Sequence, residues 1–138
     1  MERNYIHFEV HGKVVGKGRP HFVKKTGVAI TPQRTRSYES VIRDFALKEM
    51  DGREPFTFPI KATITAYHTI PVSWNKTKKE IARKNLIAPS KPDIDNVIKI
   101  ALDACNRTVF VDDVQVVSVI VKKMFGDVAK LVCTFEEA

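Results

Sequence analysis

The chain has 138 residues, 43% of them hydrophobic and 28% charged, so it can bury a core as one domain without disulfides or a structural metal. Its 23 Lys+Arg against 16 Asp+Glu give a net charge of +7, which favours polyanionic partners, nucleic acid first and an acidic membrane second. No apolar run spans a bilayer, no secretory leader pattern opens the sequence, and Cys105 and Cys133 form no CxxC pair, so we expect a soluble protein of the reducing cytoplasm.

Three strands are predicted at the start of the chain. The segment YIHFEVH (5–11) alternates apolar and polar residues, which is typical of a half-buried strand with one face toward solvent. The glycine-punctuated stretch that follows contains short strand candidates near residues 20–23 and 28–31. Residues 13–36 include seven Lys or Arg and no acidic residue, so this part of the chain is strongly basic.

A helix is predicted next. It should begin at Thr31-Pro32, because Thr31 suits the N-cap and Pro32 the first helical position. It should end near Met50, where the segment DGREPF interrupts the helical periodicity. Its buried stripe is predicted to comprise Tyr38, Val41, Ile42, Phe45 and Ala46.

The second half of the chain predicts a strand at 60–70, a short basic helix or ordered loop at 73–85, and a helix at 93–105. Residues 114–125 are apolar on both faces, which is typical of a central strand, and a turn at 126–127 should return the chain as its antiparallel hairpin partner. The second of these helices should bury Val97, Ile98, Ala101, Leu102 and Cys105. This order predicts a single α+β domain over residues 1–138, with helices packed on a mixed, mostly antiparallel sheet.

Two acidic pairs, Asp93/Asp95 and Asp112/Asp113, are the main candidates for chemistry. Taken alone, the first pair fits a helix cap, because a first turn offers unpaired N–H groups and a positive dipole, and the second fits a solvated turn. A metal site is favoured because a cap needs one carboxylate, because two repel without a cation, and because Lys99 shares a helical face with Asp95. The two pairs can also converge where a helix start meets a strand start. Carboxylate ligands suit Mg²⁺ or Mn²⁺.

Other kinds of site fit the sequence poorly. An EF-hand counted from Asp93 would place Ile98 at the glycine position and Ala104 at the glutamate position. His7 and His11 are spaced i,i+4 but lie on a predicted strand and not on a helix, and His21 and His68 have no Cys or His partner at zinc-ligand spacing. His68 is expected to be a core histidine. The segment GKVVGKG lacks both the spacing and the Ser or Thr of a Walker A loop.

The segments KPDIDNVIKIALDACN and VFVDDVQVV, together with GKGRP and TPQRTRSYE earlier in the chain, resemble the RusA family of Holliday junction resolvases over residues 8–125. The resemblance implies metal-binding catalytic aspartates at Asp93, Asp95 and Asp113 and a catalytic lysine at Lys99. Asp112 is a possible further metal ligand, and Asp103 matches a supporting position. The resemblance also implies Mg²⁺ as the cofactor, with Mn²⁺ able to substitute, no small-molecule cofactor, and a homodimer that nicks a four-way DNA junction symmetrically in recombination and repair.

Binding of the DNA backbone is predicted to fall to the basic runs 13–36 and 76–84. Trp74 and Phe22 lie among these charges, where they either wedge between bases or pack on the core. Two alternatives stay open: a basic DNA-binding module without catalysis, and a metal-dependent nuclease that acts on other branched DNA or on RNA. The predicted DNA-binding residues are Lys17, Arg19, Lys24, Lys25, Lys76, Lys78, Lys79, Arg83 and Lys84.

Overall fold

The computed structural model describes residues 4–18, 21–23, 28–30 and 33–138, with backbone only at 21–23 and 28–30. Its elements follow the predicted order, with a short 3-10 helix at Asp113–Gln115 added before the last two strands. The strands and helices are β1 (Tyr5–His11), β2 (His21–Val23), β3 (Val28–Ile30), α1 (Gln33–Met50), β4 (Ile60–His68), α2 (Lys76–Arg83), α3 (Ile94–Cys105), β5 (Val116–Phe125) and β6 (Lys130–Glu137). None of the described helices combines the length and apolarity that a bilayer crossing requires.

The main sheet has four strands in the order β1-β6-β4-β5. Strand β6 runs antiparallel to both β1 and β4, whereas β4 and β5 are parallel. Strands β2 and β3 form a separate two-stranded antiparallel ribbon. The predicted α+β class, with a mixed and mostly antiparallel sheet, is confirmed.

The core lies between the sheet and helices α1 and α3. Strand β1 alternates as predicted, with Ile6, Phe8 and Val10 buried, because successive side chains of a strand point to opposite faces. Strand β4 buries Ile60 and Ile64 together with two alanines on one face, and β6 buries Leu131, Cys133 and Phe135. The helices contribute a row of their own, which consists of Ile42, Ala46 and Met50 from α1 and Val97, Ile100, Ala101, Ala104 and Cys105 from α3.

The buried faces of the two helices are rotated from those predicted. In α1, Val41 and Phe45 are exposed, whereas Thr35 and Met50 are buried, because the helix meets its neighbours along the single row 38-42-46-50. In α3, Ile98 and Leu102 are only half-buried, whereas Ile100 and Ala104 are fully buried. The predicted N-cap of α1, Thr31, lies outside the described residues.

The predicted placement of residues 114–125 is wrong. Strand β5 lies at the edge of the sheet, and it is not the hairpin partner of β6, because β4 lies between the two. The turn at 126–129 carries the chain across the end of β4, where Gly126 N donates to His68 O and Gly12 N donates to Ala129 O. Apolar residues on both faces gave β5 the pattern of a central strand, although it has a strand neighbour on one side only among the described residues.

Candidate active site

A cis Lys91-Pro92 bond precedes helix α3, and Asp93 is the N-cap residue of that helix. The Asp93 side chain caps no backbone N–H; its Oδ1 lies 2.9 Å from Lys91 Nζ instead. This hydrogen bond, with the positive charge of Lys91, lowers the pKa of Asp93. The cap interpretation of the Asp93 carboxylate is therefore not what the structure shows.

Asp95, Lys99 and Asp103 follow one another at four-residue spacing, so they form one stripe on α3 with a rise of about 6 Å between neighbours. Lys99 Nζ lies 3.9 Å from Asp103 Oδ2, and its side chain is largely exposed. Asp95 forms no ion pair with any described residue. The stripe thus presents an acid, an ammonium group and a second acid to solvent in that order.

The two residues of the second acidic pair, Asp112 and Asp113, have different surroundings. Asp112 caps the 3-10 helix: its Oδ1 accepts from Val114 N at 3.1 Å, and its backbone N donates to Gln115 Oε1. Asp113 is the first residue of that helix, and it is exposed. The hydrogen bond and negative charge of Asp112, together with the charge of Asp103, raise the pKa of Asp113, and Lys99 opposes this shift. Asp113 therefore lies close enough to Asp103 and Lys99 for their charges to affect its pKa.

Lys17 forms ion pairs that join the α3 stripe to helix α1. Its ammonium group pairs with Glu39 of α1 and lies 3.2 Å from Asp103 Oδ2, and its side chain is only 14% exposed. Burial lowers the pKa of Lys17, but the hydrogen bonds to Glu39 and Asp103 outweigh burial and raise it overall. The structure thus places Lys17 inside an ion-pair network, and its predicted phosphate contact stays a prediction.

The GKG motif brings Lys17 to this position. Lys17 N donates to Asn96 O at 3.0 Å, which joins the segment after β1 to the first turn of α3. A Cβ on Gly16 would lie 2.5 Å from Pro92 Cβ and 3.0 Å from Asn96 Cβ, so only glycine allows this approach. From α1, the buried Thr35 Oγ1 accepts a hydrogen bond from Gly18 N at 3.0 Å.

A cavity of about 750 Å³ opens beside the start of α3. Asp93 and Asn96 line one part of it, and Trp74, His68 and Phe125 line another. Trp74 packs edge-on against Phe125, with 5.7 Å between ring centroids, and Lys78 Nζ lies 4.0 Å from its ring centre. Three further basic residues line this cavity: Lys13 and Arg34, which belong to the predicted basic run 13–36, and Lys91, which lies in neither predicted run.

The basic run 76–84 lies on α2, whose N-cap Asn75 accepts from Lys78 N. Lys76, Lys78, Arg83 and Lys84 are exposed, and Lys79 is half-buried. Arg83 and Lys84 share Glu80 in exposed ion pairs of 3.4 and 3.9 Å. The other predicted DNA-binding residues, Arg19, Lys24 and Lys25, lie outside the described residues, as does the side chain of Phe22.

The three predicted metal ligands do not form one compact cluster. Within the part of the chain that the structure describes, no three His, Cys, Asp or Glu side chains converge on a point where they could hold one ion. Asp93 stands at the start of α3, some 15 Å along the helix axis from Asp103, near which Asp113 lies. The donor chemistry still fits a hard divalent cation, because Asp95 and Asp113 are exposed carboxylates and the negative charges of Asp112 and Asp103 lie near Asp113.

Sequence reasoning found the acidic pairs and Lys99, but it missed Glu39, Thr35 and Gln115. Glu39 and Thr35 hold the GKG segment, and Gln115 Nε2 donates to the carbonyls of Phe56 and Phe58, which fixes the 3-10 helix beside β4. In the sequence, Glu39 is only an acidic residue on the helix that follows a basic run. That position does not identify which basic residue it contacts. These residues act through long-range contacts that local spacing does not encode.

Comparison with known proteins shows the family of the chain. The family model for "Endodeoxyribonuclease RusA" matches residues 11–136, nearly the whole chain. The chain is also 33% identical over 129 residues to the "Uncharacterized protein YqaN" of Bacillus subtilis (strain 168), which covers 88% of this chain and 89% of that protein. Nucleases of this family generally depend on a divalent metal and act on branched DNA junctions.

Proposed function

Because the chain belongs to the RusA family of endodeoxyribonucleases, we propose that this nuclease is a Mg²⁺-dependent enzyme that resolves Holliday junctions by paired symmetric nicks, in DNA recombination and repair. The observation that carries the proposal is the stripe on α3, where Lys99 lies between Asp95 and Asp103, with Asp113 close enough for the charges of Lys99 and Asp103 to affect its pKa. A phosphodiester hydrolase needs this combination of carboxylates and an ammonium group. A solvated surface helix has no need of a further carboxylate from another element close to its own charges.

The catalytic residues are proposed to be Asp93, Asp95, Lys99 and Asp113. Asp95 and Asp113 would hold the divalent cation, and Asp93 would join the ligand set only with a movement that brings the start of α3 and the 3-10 helix together; Mn²⁺ would substitute for Mg²⁺. When bound, the cation supplies a water of lowered pKa and neutralises phosphate charge. Asp112 is occupied as the cap of the 3-10 helix, so we assign the third ligand to Asp113.

Lys99 is proposed to act on the scissile phosphate directly. Its exposed ammonium group stabilises the negative charge that develops on the phosphate oxygens in the transition state. Asp103 restrains that ammonium group from one turn further along α3, and Lys17 in turn restrains Asp103. Asp103 and Lys17 are therefore positioning residues.

The DNA strand next to the cut is proposed to enter the cavity beside Asp93. Its lining provides positive charge from Lys13, Arg34 and Lys91 for phosphates and an aromatic ring, Trp74, for an unstacked base. The exposed lysines of α2 extend the positive surface outward, with Lys78 already stacked over Trp74. Shape-selective binding of a branch needs such backbone contacts more than base-edge contacts.

Paired cuts require two matched active sites, and a C2 homodimer supplies them on opposing strands of a four-way junction. We propose that the protein works as such a dimer in the cytoplasm, where it meets DNA. A nuclease for flaps, forks or RNA would share the same cation chemistry. It would not require two-fold symmetry of its substrate.

Cleavage of an end-labelled four-way junction, beside a linear duplex of the same sequence, tests the proposal. We expect symmetric nicks at the branch point with Mg²⁺ and none with EDTA or in Asp113→Asn. The matched control, Asp44→Asn, changes an exposed aspartate on α1 away from the site and should cut like the unaltered protein. Binding without cutting in Mg²⁺ or Mn²⁺ would favour a DNA-binding module, and preferential cutting of flaps or RNA would favour the other nuclease class.

A further inference from the structure

A second pocket lies on helix α2 and the turn that follows it. Its volume is about 440 Å³, and its lining combines basic and apolar side chains. No described residue lines both this pocket and the cavity beside Asp93. We call it the α2 pocket and define it by Lys76, Glu80, Ile81, Arg83, Lys84 and Leu86.

Helix α2 has two different sides. Successive residues of an α-helix turn by about 100°, so Lys78 and Ala82 share one side, and Glu80 and Lys84 lie on the opposite side. Ala82 is fully buried and Lys78 lies over the ring of Trp74, so the first side faces the protein and the cavity. The α2 pocket is on the other side, and it is therefore separate from the surface that Lys78 and Trp74 form.

The turn that ends α2 fixes the apolar part of the pocket. Asn85 has a positive φ, and its backbone N donates to Ala82 O at 2.9 Å. Leu86 N donates to Ile81 O at 3.2 Å, which completes the pattern that ends many helices and brings the side chains at these two positions together. Asn85 Oδ1 also accepts from Phe125 N at 2.8 Å, so the turn is attached to the sheet.

This turn presents Leu86 to solvent. The Leu86 side chain is 71% exposed, although it lines the same pocket as Ile81, so the contact between them leaves most of Leu86 uncovered. Because the backbone of the turn is already fixed, a ligand that covers Leu86 has little ordering entropy to overcome.

Positive charge surrounds the two apolar side chains. Lys76, Arg83 and Lys84 are exposed, and the described lining contains one carboxylate, that of Glu80. Arg83 and Lys84 contact Glu80 only through exposed ion pairs, which are weak. The pocket therefore has a net positive charge, and it favours a negatively charged ligand.

The apolar side chains decide which kind of anion fits. A nucleic-acid backbone offers phosphates to the basic residues but no aliphatic group to Leu86 and Ile81, and an unstacked base needs an aromatic ring, which the described lining of this pocket lacks. An acidic peptide offers both kinds of contact, because its carboxylates can pair with the basic residues while one apolar side chain covers Leu86.

We propose that the α2 pocket binds an acidic peptide segment of a partner protein, with one large apolar side chain of that segment placed against Leu86 and Ile81. Lys76, Arg83 and Lys84 pair with carboxylates on either side of that side chain. The bound segment leaves the cavity beside Asp93 open, so the partner and DNA can be held at the same time. This proposal goes beyond the nuclease function and does not depend on it.

Fluorescence anisotropy of a labelled synthetic peptide tests the proposal on the full-length protein. The probe is a short chain of aspartates and glutamates with one leucine at its centre. We expect saturable binding in the micromolar range. A peptide with glycine in place of the leucine, and a peptide with amides in place of the acids, should each bind about tenfold more weakly or worse.

Two variants of the protein should change this affinity in opposite directions. Leu86→Asn should weaken binding of the leucine peptide about tenfold and leave the affinity for a four-way junction unchanged. Its matched control is Val72→Asn, which changes another apolar side chain, 89% exposed, on the loop before α2. Glu80→Gln should strengthen peptide binding about threefold, because it removes the negative charge of the pocket.

A further variant keeps the test decisive if circular dichroism shows that Leu86→Asn does not fold. Lys84→Glu reverses the charge of an exposed pocket residue and should weaken peptide binding about tenfold. Lys48→Glu makes the same change of net charge on the exposed side of α1 and should leave peptide binding near that of the unaltered protein.

Three results would overturn the proposal: no binding of the leucine peptide, equal binding of the leucine and glycine peptides, or folded variants at positions 84 and 86 that bind the peptide like the unaltered protein. A loss of junction affinity in Leu86→Asn, with peptide affinity unchanged, would assign the pocket to DNA instead. Because anisotropy does not depend on cleavage, a protein that binds the peptide and cuts nothing would support the pocket and contradict the proposed function.

Discussion

Lys17 Nζ lies 3.2 Å from Asp103 Oδ2, and the same carboxylate oxygen lies 3.9 Å from Lys99 Nζ. One aspartate thus links a lysine that is nearly buried to a lysine that is exposed. The link connects the loop after β1, through the α3 stripe, to the group proposed to act on phosphate. A change at Lys17 should therefore affect both folding and catalysis.

We expect Lys17→Met to lower the free energy of unfolding by about 1–3 kcal/mol, because Glu39 and Asp103 lose the cation that compensates them in a part-buried site. Urea unfolding measures this loss. Lys48→Met, on the exposed side of α1, is the matched control and should unfold like the unaltered protein. Adding Glu39→Gln should restore part of the stability, and an additive double variant would contradict the ion-pair network.

Gly16→Ala should disturb the start of α3, because its new Cβ would lie within 3 Å of Pro92 Cβ and the neighbouring elements must shift. We expect a loss of about 1–3 kcal/mol in unfolding free energy and a marked fall in cleavage rate. Gly52→Ala is an informative comparison: it has positive φ but open space around the Cβ, so it should cost stability and leave the cleavage rate unchanged. Equal effects of both variants on cleavage would argue against a role for the close approach at Gly16.

Lys91→Ala should strengthen cation binding. The Lys91–Asp93 pair is exposed and therefore weak, so its removal should lower the half-saturating Mg²⁺ concentration by up to about fivefold. Titration of cleavage with Mg²⁺, and of Mn²⁺ binding in the absence of DNA, measures the change. Lys61→Ala serves as the control on β4. An unchanged Mn²⁺ affinity would mean that Asp93 does not join the ligand set.

His68 should make the fold sensitive to mild acid. Burial, with the charges of Lys123 and Lys13, lowers the pKa of His68 below 6.5, and its buried Nε2 has no hydrogen-bond partner among the described residues. The unfolded chain therefore takes up this proton more readily, so the contribution to stability is present above pH 6.5 and is lost as the pH falls toward the folded pKa. We expect the thermal midpoint of His68→Asn to fall less between pH 7 and pH 5 than that of the unaltered protein. Identical pH profiles would contradict this assignment.

The sequence predicted the order and type of the elements well because each has a strong local signal. The alternation of β1 and β4, the periodicity of α1 and the acidic start of α3 all depend on residues that are neighbours in the chain. Strand pairing is not local: β5 and β6 are joined by a short turn, yet β4 lies between them. No spacing rule indicates that crossing.

The candidate site shows the same difference between local features, which the sequence predicts, and tertiary contacts, which it does not. The spacing of Asp95 and Lys99 was visible because both lie on one helix, and so was the adjacent Asp112-Asp113 pair. The burial of Lys17 and its contact with Glu39 were not visible, because they depend on how α1 packs beside the loop after β1. The basic run predicted a phosphate contact for Lys17, and only tertiary packing shows that the same side chain pairs with Glu39 and Asp103.

The fluorescence of Trp74 should change when a junction binds, and the Trp74 side chain should contribute to the affinity for the junction. It is the single tryptophan of the chain, and its ring lines the cavity beside Asp93 with Lys78 over one face, so an unstacked base that enters the cavity would change its fluorescence. We expect that change on binding a four-way junction without divalent metal, and we expect Trp74→Ala to weaken binding by roughly tenfold, as loss of one stacked base would. Val72→Ala, two residues away on the same loop, is the control. Trp74 packs on Phe125, so the melt of Trp74→Ala must show a folded chain; a folded variant with undiminished affinity, together with unchanged fluorescence, would place the DNA strand elsewhere.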